Sequence, residues 1–248
     1  MTAGRLIATF ATALVIVAGL GYAASQTVLA RQPLVLSEQQ QQYVEAPRPD
    51  TTLAPQPDAP SAPTEVDPAW VAKIADLAGI PAPAVRAYAD AQLSEPRGCT
   101  VGWTTLAGIG WVESQHGTIG GRTLGEDGHS SEPVLGPALN GKGGFAAIRS
   151  TAESATWHGD RTWDHAVGPL QFIPSTWDTW GADGDGDGVA DPNDLDDAAF
   201  TAARYLCADG HDLSTGAGWA DAVFGYNHTQ AYVDSVYAAA TAYADRTS

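Results

Sequence analysis

Apolar positions recur at helical spacing along most of the chain after residue 66. Asp67 followed by Pro68 reads as an N-cap with proline at the first helical position; Trp70, Ile74 and Leu77 then share a face, and Gly79 is the stop. Residues 83–93 predict a second, alanine-rich helix with Val85, Tyr88 and Leu93 on its apolar side. Residues 103–115 are apolar almost all round, the pattern of a buried helix. A short helix over 174–180, a longer one over 194–207 and two more over 219–224 and 230–243 complete the chain. Residues 118–144 hold eight glycines without sustained periodicity and read as a long irregular excursion. Alternating strand patterns are scarce, so the fold class is mainly α, with a minor β element at most in the glycine-rich excursion.

The first 66 residues follow other rules. Residues 6–30 carry no charge, residues 6–24 are largely apolar, and Arg5 precedes them. Residues 1–30 are therefore a signal peptide or a signal anchor: Ala23, Ala24 and Ala30 would admit cleavage, and the length also suffices to span a bilayer. Either way the rest of the chain works outside the cytoplasmic membrane, in the cell envelope or secreted, and an anchor is its one route to the membrane. Residues 31–66 combine Pro33, Pro47, Pro49, Pro55, Pro57, Pro60 and Pro63 with the run Gln39 to Gln42. That composition predicts a disordered tether, with room for a short ordered piece at 34–36. The folded domain is then 67–248.

Composition narrows the function by exclusion. Of 248 residues 44% are hydrophobic, enough for a core, while the formal net charge is −17. Lys73 and Lys142 are the only lysines, and a nucleic-acid ligand would need a basic face to neutralise phosphate, so no nucleic-acid partner is expected. The six histidines show no zinc spacing and read as structural or surface groups, and core packing is the expected role of Trp157, Trp163 and Trp219.

Four segments carry chemistry. Glu113 is an isolated carboxylate at the end of the apolar helix, just before Gly117; desolvation there raises its pKa toward that of a general acid. Gln171 lies inside the apolar run from Ala166 to Trp177 and needs a partner for its amide. Tyr226 and Asn227, ahead of His228, offer a hydroxyl to a carboxylate and an amide to a sugar. The run from Asp183 to Val189 places carboxylates at positions one, three and five (Asp183, Asp185, Asp187), glycine at six and a backbone carbonyl at seven (Val189), which describes a calcium loop. Counting to twelve puts the closing carboxylate at Asp194, with Asp191, Asp196 and Asp197 as neighbours.

In this order the segments resemble the lytic murein transglycosylases of the membrane-bound B type, in their actinobacterial form, over residues 67–245. The resemblance implies a goose-type-lysozyme-like helical domain, a structural Ca2+ in an EF-hand-like loop, and cleavage of the MurNAc–GlcNAc β-1,4 bond of peptidoglycan glycan strands. Glu113 would be the sole catalytic carboxylate, first acid and then base, closing a 1,6-anhydro ring on MurNAc. Ser114, Gln171, Phe172, Tyr226 and Asn227 would line the sugar groove, with Tyr232 a further candidate. The family's loop is longer than twelve residues, which favours Asp197 over Asp194 as the closing ligand. Leu170 replaces the more usual methionine, a volume-conserving change. A lysozyme-type muramidase and a non-catalytic, calcium-stabilised peptidoglycan-binding protein are the rival readings.

Cys99 and Cys207 flank the core helices, and in an exported protein such a pair is expected to be a disulfide. Closing a loop of this length stabilises by about 4–5 kcal/mol on chain-entropy grounds.

Overall fold

The computed structural model describes residues 34–43, 46–51, 66–94, 99, 101–143 and 145–248. The signal or anchor expected at 1–30 lies outside the described residues. Among the described residues the chain is mainly helical: α1 Glu38–Gln41, α2 Pro68–Ala78, α3 Ala82–Leu93, α4 Trp103–Ser114, a 3-10 turn Ile119–Gly121, α5 Ser154–His158, α6 Pro174–Trp180, α7 Leu195–Cys207, α8 Gly216–Tyr226 and α9 Gln230–Thr247. Extended pairing is confined to isolated antiparallel bridges, such as Leu124 with Ser130 and Asn140 with Ala147. None of these helices is long and apolar enough to cross a membrane.

Capping side chains set where most of the helices begin. Asp67 accepts the Ala69 N–H at 2.8 Å ahead of Pro68, and Gly79 ends α2 in the left-handed conformation at φ 70°. Asp194, Thr215 and Thr229 cap α7, α8 and α9. These threonine caps explain why α8 starts three residues before Trp219, the first apolar position of its pattern.

α4 is the axis of the core, with every residue from Trp103 to Gly110 buried. A helix apolar on all sides must be covered on all sides. α9 packs along α4, α3 packs on α4 and α7, and α8 contacts both α7 and α9. Gly108 allows the approach of α9: a Cβ there would lie 2.9 Å from the Val236 carbonyl oxygen. The Cys99–Cys207 disulfide ties the entry to α4 to the end of α7, as the sequence suggested.

The described part of 31–66 departs from the expected tether. Ser37 and Gln40 form a capping box on α1, and Gln40, Tyr43, Ala46 and Val66 are buried. The Tyr43 ring packs on Trp219 at 4.7 Å and Tyr237 at 5.8 Å. Thr51 and Val66 pair as an antiparallel bridge, and the Asp67 N–H donates to the Asp50 carbonyl at 2.9 Å. Average composition concealed this. Leu34, Leu36, Tyr43 and Ala46 are few, but the apolar surface they meet is already built by the domain.

Candidate active site

Glu113 lies in the last turn of α4 beside the first turn of α9. The Thr229 cap fixes that turn, its Oγ1 accepting the Tyr232 N–H at 3.2 Å. The Tyr232 hydroxyl donates to Glu113 Oε1 at 2.6 Å. Tyr226 stacks parallel to Tyr232 at 6.3 Å, and Phe172 meets Tyr226 edge-on at 5.7 Å. This aromatic wall excludes water from the carboxyl while leaving the residue partly open. Desolvation pushes Glu113 up to about 7, and the Tyr232 hydrogen bond pulls the other way. Among the described residues no second carboxylate contributes to that shift. Burial, with the nearby charge of Glu113, holds the Tyr226 and Tyr232 hydroxyls well above the usual phenol range, so both remain neutral.

The turn after Glu113 is held from behind. Gln115 and His116 both adopt left-handed backbone, at φ 55° and 60°. The His116 ring is clamped between Tyr88 Oη at 3.1 Å and Tyr243 Oη at 2.9 Å, and burial pushes it down to about 3, so it stays neutral. Ser114 is fully buried rather than facing a groove. Its hydroxyl donates to the Pro169 carbonyl at 2.5 Å and accepts the Gly117 N–H at 2.7 Å, tying α4 to the loop before Gln171. The residue expected to touch sugar is a tie within the frame, because its short side chain points into that loop.

The loop itself completes the wall. The Tyr226 hydroxyl donates to the Leu170 carbonyl at 2.9 Å. Gln171 sits at φ 53°, and its Nε2 donates to the Gly168 carbonyl at 2.9 Å and the Val134 carbonyl at 3.2 Å. Phe172 is buried against Trp177 at 5.3 Å, and Asn227 is buried at the C-cap of α8. The fold thus brings Glu113, Tyr226, Tyr232 and Phe172 together directly, and Gln171 and Asn227 adjoin them through the chain. Sequence reasoning passed over Tyr205, whose ring supports Tyr226 at 5.9 Å and whose hydroxyl donates to the Gly225 carbonyl at 3.3 Å. Its place in the apolar pattern of α7 gave no sign of this.

A second cluster lies in the loop before α7. Carboxylate oxygens of Asp183, Asp185 and Asp187 lie within 4.8 Å of one another. Asp183 accepts the Gly186 and Gly188 N–H groups at 2.6 and 2.9 Å, and Asp187 accepts the Val189 N–H at 2.7 Å. Asp197 turns into this loop, accepting the Gly184 N–H at 2.6 Å and the Asp191 N–H at 2.8 Å. Asp194 turns away, capping α7 through the Asp196 N–H at 2.8 Å and facing His129 at 3.8 Å. Three converging carboxylates, Asp183 half-buried and Asp185 and Asp187 exposed, are hard oxygen donors of the kind a divalent alkaline-earth ion takes.

Residues 151–232 match the family model of the transglycosylase SLT domain. The match supports a lytic transglycosylase family, and the mainly helical fold is consistent with a lysozyme-like domain of that kind. It covers Gln171, Phe172, the acidic loop, Tyr226, Asn227 and Tyr232, while Glu113 precedes it. The Tyr232–Glu113 hydrogen bond therefore joins the matched segment to the carboxyl. No curated protein and no solved structure gives a match.

Proposed function

We propose that this protein is an extracytoplasmic peptidoglycan lytic transglycosylase, cleaving the MurNAc–GlcNAc β-1,4 bond with Glu113 as its single acid and base. The observation that carries this reading is the lone Glu113 carboxyl, raised to about 7 by its aromatic enclosure and held by Tyr232. A general acid near neutral pH has to hold its proton until the bond breaks, and the rise of Glu113 to about 7 supports that role. The protonated Glu113 gives its proton to the glycosidic oxygen, and the C1–O bond breaks with its electron pair going to that oxygen. With no second carboxylate acting on Glu113 among the described residues, the substrate's own acetamido group meets the positive charge at C1. The Tyr232 hydroxyl stabilises the carboxylate now formed. That carboxylate takes the proton of the MurNAc C6 hydroxyl as O6 bonds to C1, giving the 1,6-anhydro sugar and returning Glu113 to its protonated form. No water is consumed.

The acidic loop would hold Ca2+ through the Asp183, Asp185, Asp187 and Asp197 carboxylates and the Val189 carbonyl. Its contribution would be structural, neutralising the loop that leads into α7. The Cys99–Cys207 disulfide accords with an oxidising, extracytoplasmic setting.

Mass spectrometry of purified peptidoglycan digested by the full chain, beside Glu113→Gln, tests the reading. Anhydro-muropeptides that vanish in the variant are expected. Reducing-end products would make the protein a muramidase, and no release by folded, calcium-loaded protein would leave only a binding role.

A further inference from the structure

Residues 34–43 and 46–51 pack on the domain, and Val35 and Gln40 reach the start of α9, the helix that carries Tyr232. Gln40 is 5% exposed; its Oε1 accepts the Ser37 N–H at 2.9 Å and its Nε2 donates to Asp234 Oδ1 at 2.8 Å. The same oxygen accepts from Gln230 Nε2 at 2.9 Å, and Gln230 Oε1 accepts the Val35 N–H at 3.0 Å. Gln230, Tyr232 and Asp234 all belong to the start of α9. The segment therefore grips the turn that aims a hydroxyl at Glu113. Its other end reaches α4: Tyr43 Oη lies 3.3 Å from Thr104 Oγ1 and 3.2 Å from Thr105 Oγ1, and Trp219 Nε1 also donates to Thr105 Oγ1 at 2.9 Å. α8 is shaped to admit the segment, since a Cβ on Gly216 would collide with the backbone of Gln40 and Gln41.

One strap thus touches both helices whose relative position sets the Glu113–Tyr232 hydrogen bond. We infer that Gln40 and Tyr43 are positioning residues for that pair, and that the described part of the strap, residues 34–43, belongs to the catalytic unit rather than to a spacer before it. The inference rests on the proposed role of Glu113. Thr51 pairs with Val66 as an antiparallel bridge, which fixes the far end of the strap against the residue that precedes the Asp67 cap.

The test uses the full chain and reads the Glu113 carboxyl directly by 13C NMR titration, assigned against Glu113→Gln, beside turnover of purified peptidoglycan. Gln40→Ala and Asp234→Ala are expected to lower kcat by up to about tenfold with little change in KM, no more than loss of the Tyr232 hydroxyl itself would cost. They should also move the Glu113 midpoint upward, because the Tyr232 hydroxyl no longer favours the ionised form. The groups facing Glu113 are Tyr232 and Tyr226, which stay neutral, so the midpoint reports the hydrogen bond. Asp234→Asn keeps the acceptor oxygen and should restore both readouts. Tyr43→Phe keeps the ring contacts and loses the hydroxyl, and should lower kcat by a smaller factor. Cleaving at a protease site placed within 52–65 should leave the N-terminal piece bound through gel filtration. Separation of the pieces would overturn the strap. Variants that melt earlier yet keep kcat and the Glu113 midpoint would overturn the positioning role. An inactive wild type would sink the proposed activity alone, with the midpoint and the retained piece still deciding this inference.

Discussion

Glu113 stands alone against tyrosine and phenylalanine rings, whereas Asp183, Asp185 and Asp187 stand together at the surface. Both are carboxylate sites, and their surroundings give them opposite chemistry. Around Glu113 the fold removes water and supplies one neutral donor, so the favoured state at moderate pH is the protonated acid. In the loop the fold leaves Asp185 and Asp187 exposed and supplies backbone N–H donors, an arrangement of oxygen ligands that would suit a cation. On the proposed reading, isolation would make a proton donor and convergence a metal site, with the same functional group in both.

Breaking the first side gives the largest expected effect. Glu113→Gln should lower turnover of peptidoglycan by about 10^4-fold, since one group serves as both acid and base. It should also stabilise the protein, with a definite pH dependence. The carboxyl keeps its proton up to about 7 when folded, against 4.5 as the ordinary value. Its contribution to stability is thus fully present below 4.5 and is lost as pH rises through 7. The permanently neutral glutamine should therefore gain on the wild type across that window, by up to about 3 kcal/mol at its alkaline end, as read by urea unfolding. A constant difference at all pH values would mean that Glu113 is not enclosed as described.

Removing the proposed calcium should come next. A saturating ion that binds only the folded state stabilises by about 3–4 kcal/mol, so chelation should lower the melting temperature by several degrees. The Glu113 titration midpoint should stay where it is, because no loop aspartate contributes to its shift. A midpoint that moved with calcium would couple the two sites and undo the contrast between them. Tyr232→Phe should have a smaller effect, lowering kcat by about tenfold for one charge-assisted hydrogen bond. The acidic midpoint of Glu113 should rise in the same variant, since the lost bond favoured its ionised form.

The two sites were unequally legible in the sequence. The loop is local, so the spacing of Asp183, Asp185, Asp187 and Val189 brings its donors forward without knowledge of the fold. Glu113 could be suspected from its apolar helix, but its partner Tyr232 lies 119 residues on and meets it only once α4 and α9 pack. Ser114 follows Glu113 in sequence but faces the Pro169 carbonyl, since successive helical positions point about 100° apart and spacing alone does not show which way each turns. The strap escaped for a different reason. Its few apolar anchors are diluted by Gln39 to Gln42, and burial is decided by the surface a side chain meets rather than by segment average.

The smallest predicted effect bears on how the loop closes. Asp194 and Asp197 are one turn apart at the start of α7, yet only Asp197 accepts N–H groups from the acidic loop, at Gly184 and Asp191. Asp194 instead accepts the Asp196 N–H as the N-cap, a task asparagine performs equally well. Asp194→Asn should therefore keep the helix cap and leave calcium affinity within about twofold in calorimetric titration. Asp197→Asn removes a negative charge that faces the loop, and should weaken calcium by about tenfold or more. The reverse ranking would make Asp194 the closing ligand and Asp197 an organiser of the loop backbone, and the converging carboxylates would then gather their cation from the His129 side.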